Sequence, residues 1–232
     1  MNGIFYGIGV GTGDPELLTV KAVRTLTALD VLIAPLSKEG RTSVAYQAAK
    51  PYLTERTEVV FRVFPMRLQK EGRDAAVNSA SDEIAAWTSA GKQVGIVTLG
   101  DPMLYSTYIY LERRLAALQV LCRAIPGVTS FSAAAARAGF VLAEQGERVA
   151  IVPSVHENGG LDNLLQNVDT AVLMKASGDC AEVIDSLERS GMADRAVFVS
   201  RLDLDRETIE PDIRKMRGVK ADYLSMILAR KG

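Results

Sequence analysis

Ile4-Phe5-Tyr6-Gly7-Ile8-Gly9-Val10-Gly11-Thr12-Gly13-Asp14-Pro15 begins as a short apolar run and passes directly into a turn dense in glycine. The apolar part, Ile4–Val10, reads as a buried strand, and the glycines permit positive φ and close approach of a backbone. Leu17–Leu29 follows with apolar residues at helical spacing through Leu18, Ala22, Leu26 and Leu29. Either Asp14 caps that helix with Pro15 at its first position, or Thr19 caps a later start. The strand–turn–helix unit then recurs. Val31–Ala34 reads as a strand stopped by Pro35, Ser43–Tyr52 as a helix, and Glu58–Phe64 as a strand ending at Pro65. Ala75–Ala90 reads as a long helix ended by Gly91, Val94–Leu99 as a buried strand, and Tyr108–Ala117 as a further helix. This alternation predicts an α/β fold with a mostly parallel sheet.

The second half is patterned differently. Val120–Ile125 reads as a strand and Thr129–Ala138 as a helix of small residues. Val149–Pro153, Thr170–Lys175, Ala196–Arg201 and Tyr223–Ala229 read as four further strands, with one helix, Cys180–Ser190, among them. Strands come more often and connections are less regular, which predicts an α+β lobe with a mixed sheet. The boundary is expected near Leu118–Val120, dividing the chain into lobes 1–118 and 119–232.

Bulk properties exclude several classes of function. The formal net charge of −1 over 232 residues provides no general basic field, so nucleic acid is not an expected partner. No apolar run approaches the ~18 residues that span a membrane, and no basic stretch followed by an apolar segment opens the chain; the expected location is the cytoplasm. The two cysteines, Cys122 and Cys180, lack metal-ligand spacing and read as buried small residues in a reducing compartment. The single histidine, His156, stands beside Asn158, Gly159 and Gly160 in a loop and reads as a surface residue. Neither a catalytic triad nor a His-rich metal site is expected, so demanding chemistry has to come from a bound cofactor.

Three segments qualify as ligand-binding turns. In the first, Gly7 to Asp14, glycines recur at every second position, which does not match the G-x-G-x-x-G dinucleotide fingerprint, and the second strand ends at Ala34-Pro35 without the acid that would hold a ribose. The second, Thr98-Leu99-Gly100-Asp101-Pro102-Met103-Leu104-Tyr105-Ser106-Thr107, follows a buried strand and so lies at a carboxyl end, where parallel sheets bind ligands. Asp101 is either a local cap of that turn or a ligand-facing carboxylate. The third, Pro126-Gly127-Val128-Thr129-Ser130-Phe131-Ser132, also follows a strand. Its hydroxyls either cap the next helix or join backbone N–H groups around an amino-acid carboxylate.

In order and spacing, these turns resemble the glycine-rich, Gly-Asp-Pro and Pro-Gly-x-Thr-Ser turns of the tetrapyrrole methylase family, the class III S-adenosylmethionine enzymes. The resemblance covers the whole chain. Gly13-Asp14-Pro15-Glu16-Leu17-Leu18-Thr19, Phe64-Pro65-Met66 and the run from Thr98 to Tyr108 look most like the branch that methylates C(20) of precorrin-2 or cobalt-factor II in cobalamin biosynthesis. Thr12 departs from the pattern, standing where the family usually has Pro. A sister methylase acting on another ring position is the competing reading.

The resemblance implies a two-lobed fold with S-adenosylmethionine between the lobes and a tetrapyrrole over the N-terminal one. It implies cofactor contacts from Thr12, Leu99, Gly100, Asp101, Leu104, Thr129, Ser130 and Met174, with Leu202 and Ser225 near the adenosine. It implies substrate contacts from Gly11, Gly13, Asp14, Tyr105 and Arg41, with Arg62, Arg67 and Arg201 as further candidates for the substrate carboxylates. A homodimer is implied as well. The displacement itself depends on alignment and exclusion of water; the proton then lost from the methylated carbon or elsewhere on the ring goes to a base the sequence does not identify, or to solvent.

Overall fold

A computed structural model describes residues 2–65, 70–153 and 160–232, with the side chains of residues 70 and 71 excepted. Met66, Arg67, His156, Asn158 and Gly159 therefore lie outside the described residues. Two units divide the chain, Met1–Thr129 and Ser130–Gly232.

The first unit is built on five strands in the order β3-β2-β4-β1-β5. These are β1 (Phe5–Gly9), β2 (Val31–Leu36), β3 (Glu58–Val63), β4 (Val94–Thr98) and β5 (Cys122–Ile125). Every pairing is parallel, as the βαβα alternation predicts. Helices α1 (Val20–Thr27) and α2 (Val44–Ala49) cover one face, where Ala22, Leu26, Ala45 and Ala48 pack on Ile8, Leu32 and Val97. Helices α3 (Lys70–Ser89) and α4 (Tyr108–Ala117) cover the other, where Val77, Ile84, Leu111 and Leu115 meet Phe5, Ile33 and Ile96.

Local chemistry explains the element ends. Both caps weighed from the sequence form. Asp14 accepts a hydrogen bond from the Glu16 N–H and caps a single 3-10 turn, while Thr19 accepts one from Ala22 and caps α1. Pro35 does not stop β2, contrary to expectation. Beyond Ile33 the strand has lost its β4 neighbour and keeps only β3, and a residue without an N–H is tolerated on such a one-sided stretch.

The lobe boundary expected at 118/119 needs correction. It assigns β5 to the second lobe, but residues 122–125 pair with residues 5–8 of β1 as the edge of the first sheet. The division accordingly falls after Thr129.

The second unit carries the mixed sheet that was expected, in the order β6-β7-β10-β8-β9. Its strands are β6 (Val149–Val152), β7 (Thr170–Met174), β8 (Ala196–Ser200), β9 (Thr208–Glu210) and β10 (Ser225–Arg230). Only β6 and β7 run parallel. Helix α5 (Ser130–Ala138) packs Ala134 and Ala135 on one face. Helices α6 (Leu161–Gln166) and α7 (Ala181–Arg189) pack Leu165, Ile184 and Leu187 on the other. Helix α6 and strand β9, six and three residues long, are too short to display a period and are not legible in the sequence. No described helix is long and apolar enough to cross a membrane.

Gly7 illustrates how glycine serves packing here. A Cβ at Gly7 would stand 2.3 Å from Cδ2 of Tyr108, whose buried ring stacks on Phe5 at 5.7 Å between centroids. Replacing Gly7 by Ala is expected to destabilise the protein by about 1–3 kcal/mol through overpacking. The loss should shrink when Tyr108→Leu is present in the same chain; denaturant titration of both variants checks this.

Candidate functional site

Strands β4, β1 and β5 are adjacent and parallel, so their carboxyl ends share one edge of the first sheet. All three sequence motifs lie there: the turn from Gly11 follows β1, the turn from Leu99 follows β4, and the turn from Pro126 follows β5. The chain leaves β1 across β4 toward β2, and leaves β4 across β1 toward β5. Where connections diverge in this way, a crevice opens outside the carboxyl ends.

Backbone contacts bind the three turns into one surface. The Val10 N–H donates to Thr98 O at 3.0 Å, and the Gly100 N–H to Gly11 O at 2.7 Å. The Asp101 carboxylate accepts from the Met103 N–H at 2.8 Å and from the Gly127 N–H at 3.0 Å. The Thr19 hydroxyl donates to Pro126 O at 3.4 Å. A Cβ at Gly127 would lie 2.2 Å from Gly100 O, and one at Gly9 would lie 2.6 Å from the Gly127 nitrogen. These two glycines therefore exist for the mutual approach of three backbones. Gly11 and Gly100 serve a different need, adopting φ of +71° and +69°.

The structure brings together the candidates of the first unit. Thr12 is buried, Leu99, Gly100, Asp101, Leu104 and Thr129 are partly exposed, and Tyr105 is exposed with φ +51°. Gly11, Gly13 and Asp14 occupy the first turn, Asp14 as the cap already described. Met103, not among the expected contacts, is 58% exposed beside Tyr105, so two large side chains face solvent on one short turn. Among the arginines, Arg62 is paired with Glu83 and Arg201 with Asp222. Arg41 is exposed and has no acidic partner among the described residues; Arg67 lies outside them.

In the second unit, Met174, Leu202 and Ser225 also gather at one sheet edge. β10 runs antiparallel to both β7 and β8, pairing Met226 with Met174 and Ser225 with Ser200. Met174 is half-buried. Leu202 is in the core, and Ser225 donates or accepts within a buried hydroxyl pair with Ser200 at 2.9 Å, so these two offer backbone rather than side chain. Ser130 opens α5.

The same edge holds Lys175, Arg201, Asp203 and Arg206, four of the six non-glycine residues at positive φ among those described. Strain of this kind collects at functional sites. It is held by the Arg201 N–H donating to Leu224 O at 2.8 Å and the Asp203 N–H donating to Glu207 at 2.7 Å. That second bond, aided by Arg137, keeps the Glu207 carboxyl below the usual carboxylate range. The strained segment was missed from the sequence, where Asp203-Leu204-Asp205 looks like an ordinary polar loop.

Neither cysteine lies in the three turns: Cys122 stands at the amino end of β5, and Cys180 directly before α7. Burial, then the Glu112 charge, pushes the Cys122 thiol up to about 11. Burial likewise raises Cys180 and, more strongly, the Tyr108 hydroxyl. No group of three or more metal-ligating side chains occurs among the described residues. What the first unit offers is a backbone floor, hydroxyls, two exposed large side chains, Met103 and Tyr105, and the carboxylates of Asp14 and Asp101. Each Asp101 oxygen keeps a second lone pair, so with the exposed Met103 and Tyr105 side chains the turn offers acceptors and apolar surface to a small ligand with polar and apolar parts.

Gly127→Ala is expected to cost about 3 kcal/mol, since its methyl meets backbone that cannot give way. Gly139→Ala, whose methyl would meet nothing within 4 Å at φ +63°, should cost only about 1 kcal/mol of left-handed strain. Thermal denaturation of the pair tests the contrast.

Residues 5–214 match the family model of the Tetrapyrrole (Corrin/Porphyrin) Methylases. The chain is 37% identical to the cobalt-precorrin-2 C(20)-methyltransferase of Salmonella typhimurium, covering 100% of this chain and 98% of that one. It is 31% identical to the precorrin-2 C(20)-methyltransferase of a Sinorhizobium species, covering 97% and 94%. Among solved structures, a cobalt precorrin-4 methyltransferase superposes with a TM-score of 0.75 at 23% identity, over 97% of this chain and 94% of that one. The uroporphyrin-III C-methyltransferase of Thermus thermophilus, complexed with S-adenosylhomocysteine, superposes at 0.69 with 22% identity, over 98% and 97%. The structural likenesses establish the two-sheet fold.

Proposed function

The chain belongs to the tetrapyrrole (corrin/porphyrin) methylases, and we propose that it transfers a methyl group from S-adenosylmethionine to C(20) of a precorrin-2 skeleton, metal-free or as the cobalt complex, in cobalamin biosynthesis. The observation that carries this reading is 37% and 31% identity, over nearly the full length of both chains, to relatives named for C(20) methylation, together with three turns that meet at one sheet edge.

Leu99, Gly100, Leu104, Thr12 and Thr129 are assigned to the cofactor from the first unit, with Asp101 in the same turn holding the β5 turn at Gly127. Ser130, Met174, Leu202 and Ser225 are assigned to it from the second. When bound, the cofactor supplies an electrophilic methyl carbon on a sulfonium. The protein's part is then to hold donor and acceptor in line and keep water away, work for which a backbone floor and apolar side chains are suited. Tyr105, together with Gly11, Gly13 and Asp14, is assigned to the tetrapyrrole. Arg41, exposed and without an acidic partner among the described residues, is assigned to one of its carboxylates by a charge-assisted hydrogen bond. A homodimer belongs to the same reading, on family resemblance and the commonness of twofold assemblies. So does a cytoplasmic location, which two free cysteines support.

Incubation with isotopically labelled S-adenosylmethionine and each tetrapyrrole, followed by mass and NMR location of the label, should place the methyl on C(20). Labelling at another ring position would replace this reading with the sister methylase. S-adenosylhomocysteine at a hundred times its dissociation constant should raise the apparent stability by about 2.7 kcal/mol, seen as a higher melting temperature. Arg41→Ala should leave melting unchanged and weaken tetrapyrrole binding about tenfold, the loss of one charge-assisted bond. Light scattering should find twice the 25.0 kDa chain mass.

A further inference from the structure

Asp101 makes two hydrogen bonds of different reach. Its Oδ1 accepts from Met103, two residues on, in a local turn that any Asp in this position forms. Its Oδ2 accepts from Gly127, 26 residues away in the turn after β5. The pairing of β5 with β1 ends at Ile125. Past that point the turn is tied back by Asp101 at Gly127 and, more weakly, by the Thr19 hydroxyl to Pro126 O at 3.4 Å. The clasp works against a hard stop, because Gly127 already rests on Gly100 O with no room for a Cβ.

We propose that Asp101 is a positioning residue: its carboxylate draws the β5 turn against the β4 turn and thereby places Thr129 for the cofactor, rather than meeting the cofactor's ammonium group itself. This rests on the cofactor reading above. The charge matters because a carboxylate accepts from N–H more strongly than an amide oxygen does, and because it presents acceptors on both sides. An Asn at this position has one oxygen. It keeps the local bond to Met103, whose loop is short, and turns an NH2 toward the Gly127 N–H, donor against donor.

The test uses the full chain, labelled with 15N, as wild type, Asp101→Asn, Asp101→Ser, Thr129→Ala and the double variants. Ser retains the local turn bond and cannot reach Gly127, so it serves where Asn fails to fold. Without ligand, the Gly127 amide should exchange about tenfold faster or more in either Asp101 variant, while the amides of Ile8 and Val97 keep their protection. S-adenosylhomocysteine should bind about tenfold more weakly by calorimetry. Thr129→Ala should add little in an Asp101→Asn background, since the turn is already displaced. Unchanged Gly127 exchange alongside weakened binding would overturn the proposal in favour of a direct ligand, as would Asp101 and Thr129 penalties that multiply independently. Failure of the unsubstituted chain to bind S-adenosylhomocysteine would overturn the cofactor reading and the functional half of this proposal together. It is told apart from failure of the clasp, because Gly127 exchange is read with no ligand present.

Discussion

Three backbones touch at the carboxyl edge of the first sheet, and the arrangement of the three turns assigned to ligand binding depends on that contact. Gly9, Gly100 and Gly127 come from β1, the β4 turn and the β5 turn, and a single methyl on Gly9 or Gly127 would collide with the main chain of a neighbour. Close-packed backbone leaves no side chain to relax, so the spacing of the turns is set rigidly. Positive φ at Gly11 and Gly100 then aims the turns, and Asp101 adds a polar tie where the β5 ladder has ended.

Glycine therefore has several separate tasks within a few residues of one strand. Gly7 admits the Tyr108 ring, and with it the approach of α4 to β1. Gly9 admits another backbone, and Gly11 supplies a left-handed bend. Only the last belongs to the turn itself. A glycine-rich segment is easily read as one ligand-binding loop, but two of these glycines lie inside β1.

The electrostatics agree with a site that relies on a bound cofactor. Cys122, Cys180 and Tyr108 are pushed by burial toward their protonated forms. The lowered carboxyls, such as Glu207, are held by N–H donors and arginines in structural roles. Strain in the second unit is concentrated instead in the backbone, at Lys175, Arg201, Asp203 and Arg206.

Much of this was legible in the sequence because it is local. Apolar period, caps and turn residues act within a few positions, so Tyr108–Ala117, the Asp14 and Thr19 caps and most strands of both sheets were readable to within a few residues. The three motifs were readable too, since each is a contiguous turn after a strand, and their order supported the family resemblance. Strand order was not readable. Val120–Ile125 has the same local pattern whichever sheet it joins, and only its pairing with β1 places it in the first unit. The passage of β2 through Pro35 was hidden for the same reason, because a proline is tolerated according to whether a neighbour needs its missing N–H. Asp101 shows the limit most plainly. The sequence supplied a rigidly placed acid and two roles for it, while its bond to Gly127 depends on β4 and β5 flanking β1, a relation between residues 26 apart that no local preference encodes.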